Sequence, residues 1–362
     1  MAMDFATVEA TPNIALVKYW GKRNEELVLP VSGSISATMS FELKTRTSIA
    51  FSDKISSDEV YVNGEKITGE HLLGAGKCLD FIRKAANVRN GKKARIASIN
   101  CFPTAAGLAS SASGYAALAC AANAALNAGL KGEQLSIAAR LGSGSASRSV
   151  YGGFAEWLAG KKNDGSDSYA VQIKDEKHWP EFRNVIGIIG KEKKKVSSRA
   201  GMKETVKTSA YYKEWMARHD SVLDTARKAI LSKDLSKLLA TIMKESDDMH
   251  HSMADTTPPI IYMNELSHSV VKKIREFNDS LGSIEAGYTF DAGPNPHVYT
   301  VQKHAKAIEK ILLEVDGMQD VITCSVGSGP RVLKDKKESL LDENGNAKKC
   351  SYDEIKRKII IE

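Results

Sequence analysis

The chain has 362 residues, 42% of them hydrophobic and 26% charged, with a formal net charge of +7. That is the balance of a globular protein large enough for two or three lobes, and no apolar run approaches the roughly 20 residues of a membrane helix, so no membrane partner is expected. The opening "MAMDFATVEATPNIALVKYWGKR" lacks the basic start and apolar segment of a secretory signal, which points to the cytoplasm.

The first third reads as strand-rich. "FATVEA", "NIALVKYW" and "TRTSIAF" carry β-branched or aromatic residues, and "VYVNGEKIT" holds an Asn63-Gly64 pair suited to a two-residue hairpin turn. A helix is predicted from His71 to Ala86. "ARIASINCF" then reads as a strand that leads through a glycine and serine loop into the helix "SGYAALACAANAALNAGL". After it, "YGGFAEW", "YAVQI" and "NVIGIIG" read as strands. A long helical region follows, broken at Pro258 and Pro259. "GYTFDAG", "PHVYTVQ" and "DVITCSVG" read as strands around the helix "KHAKAIEKILLEV". The pattern predicts an α+β fold of two lobes, residues 1–185 and 186–362, sharing a cleft. In the C-terminal stretch, "ENGNA" reads as a turn within a terminal hairpin or packed tail.

Five scattered cysteines without a CxxC pair read as reduced thiols. The adjacent His250 and His251 point in different directions on any regular element, so no metal site is expected. The basic run Lys191 to Lys195 lacks interleaved aromatics and reads as a solvated face, which argues against a nucleic-acid partner.

Chemistry concentrates where "FPTAAGLASSAS" meets its helix. A glycine and serine turn opening a helix presents unpaired N–H groups and partial positive charge, a seat for an anion. Gly107 permits the tight turn, and Ser110, Ser111 and Ser113 offer caps or hydrogen bonds. A plain helix cap accounts for this stretch equally well. Three further stretches tilt the balance toward an anionic ligand. "NIALVKYWGKR" sets Lys18, Lys22 and Arg23 at an apolar strand end, "LGSGSASRS" offers Ser143, Ser145 and Arg148, and "YTFDAGPNPH" places Asp291 at a strand end.

Taken together, "NIALVKYWGKR", "FPTAAGLASSASGYAAL", "GSGSASRSVYGGFAEW", "VSSRAGM", "PPIIYMN", "YTFDAGPN" and "VGSGP" resemble the diphosphomevalonate decarboxylase family of the GHMP kinase superfamily. The resemblance runs from about Asn13 to Pro330. It implies a GHMP-kinase-like two-lobed α/β sandwich, a homodimer, and a small-molecule phosphorylated mevalonate as partner. It also implies loss of the 3-phosphate and CO2 from that substrate. By resemblance, Arg148 holds the substrate carboxylate with Asn13 nearby, Lys18 neutralises the reacting centre, and Asp291 faces the 3-oxygen as base or orienting charge. Tyr19, Lys22, Ser143, Ser145, Ser198, Arg199 and Met202 are implied at the 5-phosphate end. Ser110 and Ser111 are implied at the phosphate on the 3-oxygen.

Two departures bear on the nucleotide. Ser32 and Gly33 stand where ATP-using relatives carry Asn and Ser, and Cys101 stands where they carry a second Asn near adenine. Asn13, Lys18, Arg148 and Asp291 are unaltered. This asymmetry favours the mevalonate 3,5-bisphosphate decarboxylase branch, known from certain acid- and heat-adapted archaea, with no cofactor. The alternative is an ATP- and Mg2+-dependent diphosphomevalonate decarboxylase. A mevalonate-type small-molecule kinase ranks below both, since it lacks need of the joint Lys18, Arg148 and Asp291 set.

Overall fold

The strands at the start of the chain become the centre of a six-stranded sheet in a computed structural model that describes residues 4–88, 92–102, 110–189, 196–354 and 356–361. Gly107 and the basic run at 191–195 lie outside the described residues. The sheet runs in the order Arg331–Leu333, Asp4–Ala10, Thr45–Ser52, Lys93–Asn100, Glu59–Val62, Glu65–Lys66. Its hairpin turns at Asn63 and Gly64, both with positive φ (51° and 85°), the geometry that an Asn-Gly pair tolerates best. Alternation then divides the sheet's faces. Ile49, Phe51 and Ile96 pack against the helices Gly69–Ala85, Ser110–Ala125 and Gly132–Gly142. Ala50, Ala97 and Ile99 face the opposite way, beneath Leu340 and Leu341. The small residues of Ser110–Ala125 let that helix lie close on the strands, and Thr45 Oγ1 meets Ser113 Oγ at 2.6 Å.

Two four-stranded antiparallel sheets frame the cleft. One runs Ala170–Lys174, Phe154–Trp157, Ser34–Thr38, Asn13–Val17 and the other Gly287–Phe290, Pro296–Val301, Phe182–Ile188, Asp320–Ser325. A single core joins them: Ile14, Leu16 and Ile35 from the first pack with Phe182, Ile186 and Tyr299 from the second. Leu238 and Ile242 of the helix Leu235–Ala254 complete that core. The expected division at residue 185 falls inside the strand Phe182–Ile188, and Arg331–Leu333 returns to pair with Asp4–Ala10.

The long helical region is five helices, Ser198–Thr208, Ala210–Ala217, His219–Ser232, Leu235–Ala254 and Glu265–Leu281. The breaks have local causes. Ser209 caps by accepting from Tyr212 N–H, and Lys233 adopts a left-handed φ of 56°. The helix Gly132–Gly142 escapes the sequence reading because its stripe, Leu135, Ala138, Ala139 and Gly142, is made mostly of small residues and shares its buried face with Ser136 and Arg140. Among the described residues no helix is long and apolar enough to cross a membrane.

At the C-terminal end, Asp342 to Asn346 form the expected turn, closed by a Leu341 to Ala347 bridge. Cys350–Asp353 and Lys358–Ile361 then pair as a hairpin. Tyr352, Ile359 and Ile361 pack on the outer sheet face around Cys101, which is 2% exposed. Burial pushes the Cys101 thiol up to about 11. Removing residues 350–361 is expected to lower Tm and to let Cys101 react with a thiol reagent. Thiol titration checks this, with Cys101→Ser as control; an unreactive Cys101 after truncation would contradict the packing.

Candidate active site

The cleft is built where strands from different sheets end beside one another. Asn13–Val17 delivers Asn13 and, just past its end, Lys18, while Gly287–Phe290 delivers Asp291. Lys18 Nζ donates to Asp291 Oδ1 at 2.7 Å. The lysine side chain is 1% exposed and the aspartate 32%, so the pair has a dry end and an end open to a ligand.

Arg148 follows the short 3-10 turn Gly144–Ser147 and is buried. Its Nε donates to Asn13 Oδ1 at 3.2 Å and to Ser36 Oγ at 2.9 Å, and its Nη1 donates to Ser34 Oγ. Ser34 and Ser36 lie two apart on one strand and so share a face. Asn13 Nδ2 in turn donates to Ser145 O at 2.9 Å and Ser149 Oγ at 2.7 Å. Burial pulls Arg148 down to about 10, with Asp291 opposing the fall, so the guanidinium stays charged at neutral pH. Every hydrogen-bond acceptor on it among the described residues is neutral. Nη2 donates to none of them.

A hydroxyl cluster adjoins this arginine. Ser143 Oγ donates to Ser111 Oγ at 3.3 Å and lies 3.4 Å from Ser145 Oγ. Ser110 and Ser111 open the helix Ser110–Ala125, whose first N–H groups have no intrahelical acceptor. Tyr19 lies edge-on to Trp157, with centroids 4.8 Å apart. Gly144 leaves room for that pair, since a Cβ there would meet Trp157 at 2.7 Å and Tyr19 at 2.9 Å. Among the described residues the buried Tyr19 hydroxyl has no hydrogen-bond partner, and burial raises its pKa.

Four of the sequence-derived residues thus form one group: Asn13 with Arg148, and Lys18 with Asp291. Ser111, Ser143 and Ser145 form a second. Ser110 adjoins Ser111, and Tyr19 lies against Gly144 beside that second group, while the remaining described residues are engaged elsewhere. Lys22 pairs with Glu25 at 2.5 Å, and Arg199 pairs with Glu70 at 2.9 Å. Ser198 opens the helix Ser198–Thr208, whose cap is Ser197. Met202 packs with Trp20, Tyr212 and Trp215. Sequence reading missed Ser34, Ser36 and Ser149, as it missed the strand Ser34–Thr38 itself, although the Ser-x-Ser spacing of "SIS" carries a signal.

The layer behind the ion pair is also visible only in three dimensions. His297 meets Asn184 Nδ2 at 3.0 Å, and His250 lies edge-on to Phe290 at 6.2 Å. His251 instead stacks on Tyr211 at 4.1 Å, so the two adjacent histidines do diverge. Burial, helped by Lys18, brings both His250 and His297 down to about 4.

A two-lobed α/β fold whose cleft gathers a buried guanidinium, an ion pair and a serine cluster at a helix start defines a GHMP-kinase-like enzyme. Residues 10–170 match the diphosphomevalonate decarboxylase-like N-terminal domain, and residues 184–318 match the mevalonate 5-diphosphate decarboxylase C-terminal domain. The diphosphomevalonate decarboxylase of Danio rerio is 36% identical over 398 residues, which cover 96% of this chain and 98% of that one. The crystal structure of mevalonate diphosphate decarboxylase from Staphylococcus aureus matches with a TM-score of 0.83 at 37% identity, over 92% of this chain and 98% of that one. MDDEF in complex with MVAPP, AMPPCP and magnesium matches with a TM-score of 0.83 at 35% identity, over 92% and 100%. The chain belongs to the diphosphomevalonate decarboxylase family, and it is a carboxy-lyase.

These relatives carry the diphosphate name and come from animals and bacteria, so the 3,5-bisphosphate branch and an archaeal source find no support. The two departures behind that expectation have packing causes. Cys101 serves the apolar floor under the C-terminal hairpin. Gly33 offers its carbonyl to His219 Nε2 at 2.9 Å, and a Cβ there would lie 3.0 Å from Leu223 and 3.1 Å from the Trp157 carbonyl.

The two histidines set an acid limit. The unfolded chain takes up these protons near the ordinary 6.5, the folded protein only near 4. The unfolded state therefore holds more protons in between, and stability falls as pH drops through that window. Melting from pH 7.5 to pH 4.5 is expected to show a falling Tm, with a shallower fall in His297→Gln. A flat Tm would show that these rings do not resist protonation.

Proposed function

We propose that the protein converts mevalonate 5-diphosphate, with ATP and Mg2+, to isopentenyl diphosphate, ADP, phosphate and CO2. The observation that carries this reading is Arg148, a buried charge whose hydrogen-bond acceptors among the described residues, Ser34, Ser36 and Asn13, are all neutral. A buried cation whose hydrogen bonds all end on neutral groups is costly by several kcal/mol, and a substrate carboxylate supplies a directly bonded counter-charge with matched bidentate geometry. The relatives support the same substrate by name.

The reaction balances in two stages. The 3-hydroxyl oxygen bonds to the γ-phosphorus of ATP, the bond to ADP breaks, and the hydroxyl proton is released. Cleavage of the C3–O bond then removes phosphate with its electron pair, and the C1–C2 electrons become the new double bond as CO2 leaves. Lys18 anchors the Asp291 carboxylate at Oδ1, beside the 3-oxygen. A tertiary alcohol is a poor acid, so Asp291 acts chiefly by orienting that oxygen and by facing the positive charge that grows at C3.

The phosphates have fitting partners. The start of the helix Ser110–Ala125 with the Ser111, Ser143 and Ser145 hydroxyls suits the transferred group. Mg2+ is expected on the nucleotide phosphates, keeping several of its waters. Lys22 and Arg199 are held by Glu25 and Glu70, which are 57% and 78% exposed. The Arg199 to Glu70 pair is exposed on both sides and worth about 0–1 kcal/mol, so a diphosphate displaces that carboxylate readily. Lys22, 7% exposed, meets its exposed partner Glu25 only at the solvent edge of the cleft.

CO2 release from mevalonate 5-diphosphate is expected only with ATP and Mg2+ present. Release from mevalonate 3,5-bisphosphate without nucleotide would overturn the reading. Asp291→Asn, which keeps the shape and removes the charge, is expected to lower kcat by about 10²–10³-fold with the fold intact. Arg148→Lys is expected to lower kcat/KM by about 10²-fold, because an ammonium loses the planar fork. Wild-type kinetics in Arg148→Lys would place the carboxylate elsewhere.

A further inference from the structure

The Lys18 to Asp291 pair joins residues from two sheets, and one helix touches the backbone beside both. Within Leu235–Ala254, Glu245 and Ser246 are each 1% exposed. Glu245 Oε2 accepts from the Lys18 backbone N–H at 3.1 Å, and Ser246 Oγ accepts from the Phe290 backbone N–H at 3.0 Å. Phe290 immediately precedes Asp291. One turn further on, His250 packs its ring edge-on to Phe290. Glu245 is itself fixed, since its Oε1 accepts from Trp215 Nε1 at 3.0 Å and His219 Nδ1 lies 3.9 Å from Oε2.

We propose that Glu245 and Ser246 are positioning residues which together set the Lys18 to Asp291 separation. The assignment rests on the reading of that pair as catalytic. Lys18 lies one residue past the strand Asn13–Val17, and Phe290 is the last registered residue of Gly287–Phe290, opposite Pro296. Adjacent side chains on one helix therefore hold both strand ends, and they do so for both partners of the pair at once. Each meets its partner of the pair through a backbone N–H, and so acts through the backbone. Glu245 is an expensive choice for anchoring a strand end, because the N–H donors on it are neutral and a buried carboxylate is costly. Its strength as an acceptor suits a peptide whose placement governs the position of a reacting group.

The test uses the full chain with Ser246→Ala, Ser246→Thr and Glu245→Gln. The threonine keeps an Oγ acceptor; the glutamine keeps one carbonyl oxygen where two donors now bond. Crystal structures of Ser246→Ala and Glu245→Gln are expected to show the Lys18 Nζ to Asp291 contact lengthened beyond hydrogen-bond range. With mevalonate 5-diphosphate and ATP, kcat is expected to fall about 10- to 100-fold, as for a small misplacement of a reacting group. KM is expected to stay within about 2-fold, since the substrate's anchors are elsewhere. Ser246→Thr is expected to restore kcat. An unchanged ion-pair contact in both crystal structures would overturn the proposal, as would a folded Ser246→Ala with wild-type kcat, or a threonine no better than alanine. The crystallographic arm judges the positioning role even if wild-type protein releases no CO2, which would instead overturn the functional reading.

Discussion

A permanently charged guanidinium buried among neutral hydroxyls is the constraint around which this cleft is organised. Arg148 cannot shed its proton at neutral pH, and its hydrogen bonds to Ser34, Ser36 and Asn13 orient it without neutralising it. The protein tolerates this because the shared core of the two inner sheets and the helices over it fix every neighbour of the arginine. Lys18 and Asp291 follow the same logic in milder form. Their charges cancel, but the cancellation requires strands from two sheets to end within a hydrogen bond of each other.

Much of the fold was legible because period and punctuation agreed. Strands such as Asp4–Ala10 and Thr45–Ser52 carry β-branched residues, and Asn63-Gly64 is a turn whose φ values few other pairs adopt. What escaped was Gly132–Gly142, whose stripe is made mostly of small residues and shares its buried face with Ser136 and Arg140. The five-way division of the helical region also escaped, since it depends on Ser209 and Lys233 accepting special roles. In the site, the charged residues announced themselves at strand ends and small-residue turns. Ser34, Ser36, Glu245 and Ser246 did not, because a serine in a strand or a glutamate in a helix has many ordinary uses. Only the packing of one element on another shows which backbone N–H or guanidinium they serve.

The nucleotide side shows how a residue's type misleads without its direction. Cys101 reads as a lost amide if its side chain is taken to face a base. Its thiol faces Ala50, Ala97 and Ile99 beneath Leu340 and Leu341, with Tyr352, Ile359 and Ile361 packed around it, a setting in which an amide would lack partners. Gly33 has the same lesson at backbone level, where a side chain would press on Leu223 and the Trp157 carbonyl.

The pairing of Arg331–Leu333 with Asp4–Ala10 has a bearing on biosynthesis. During translation, Asp4–Ala10 emerges early and gains Thr45–Ser52 on one side, but its other edge waits until residues 331–333 have left the ribosome. For most of that interval the first sheet presents an open, β-branched edge able to pair with another nascent chain. Completion of the six-stranded sheet therefore waits until more than three hundred residues have been made. Its slow step is a contact between segments more than three hundred residues apart, which gives this fold a high contact order whatever the speed of its helices.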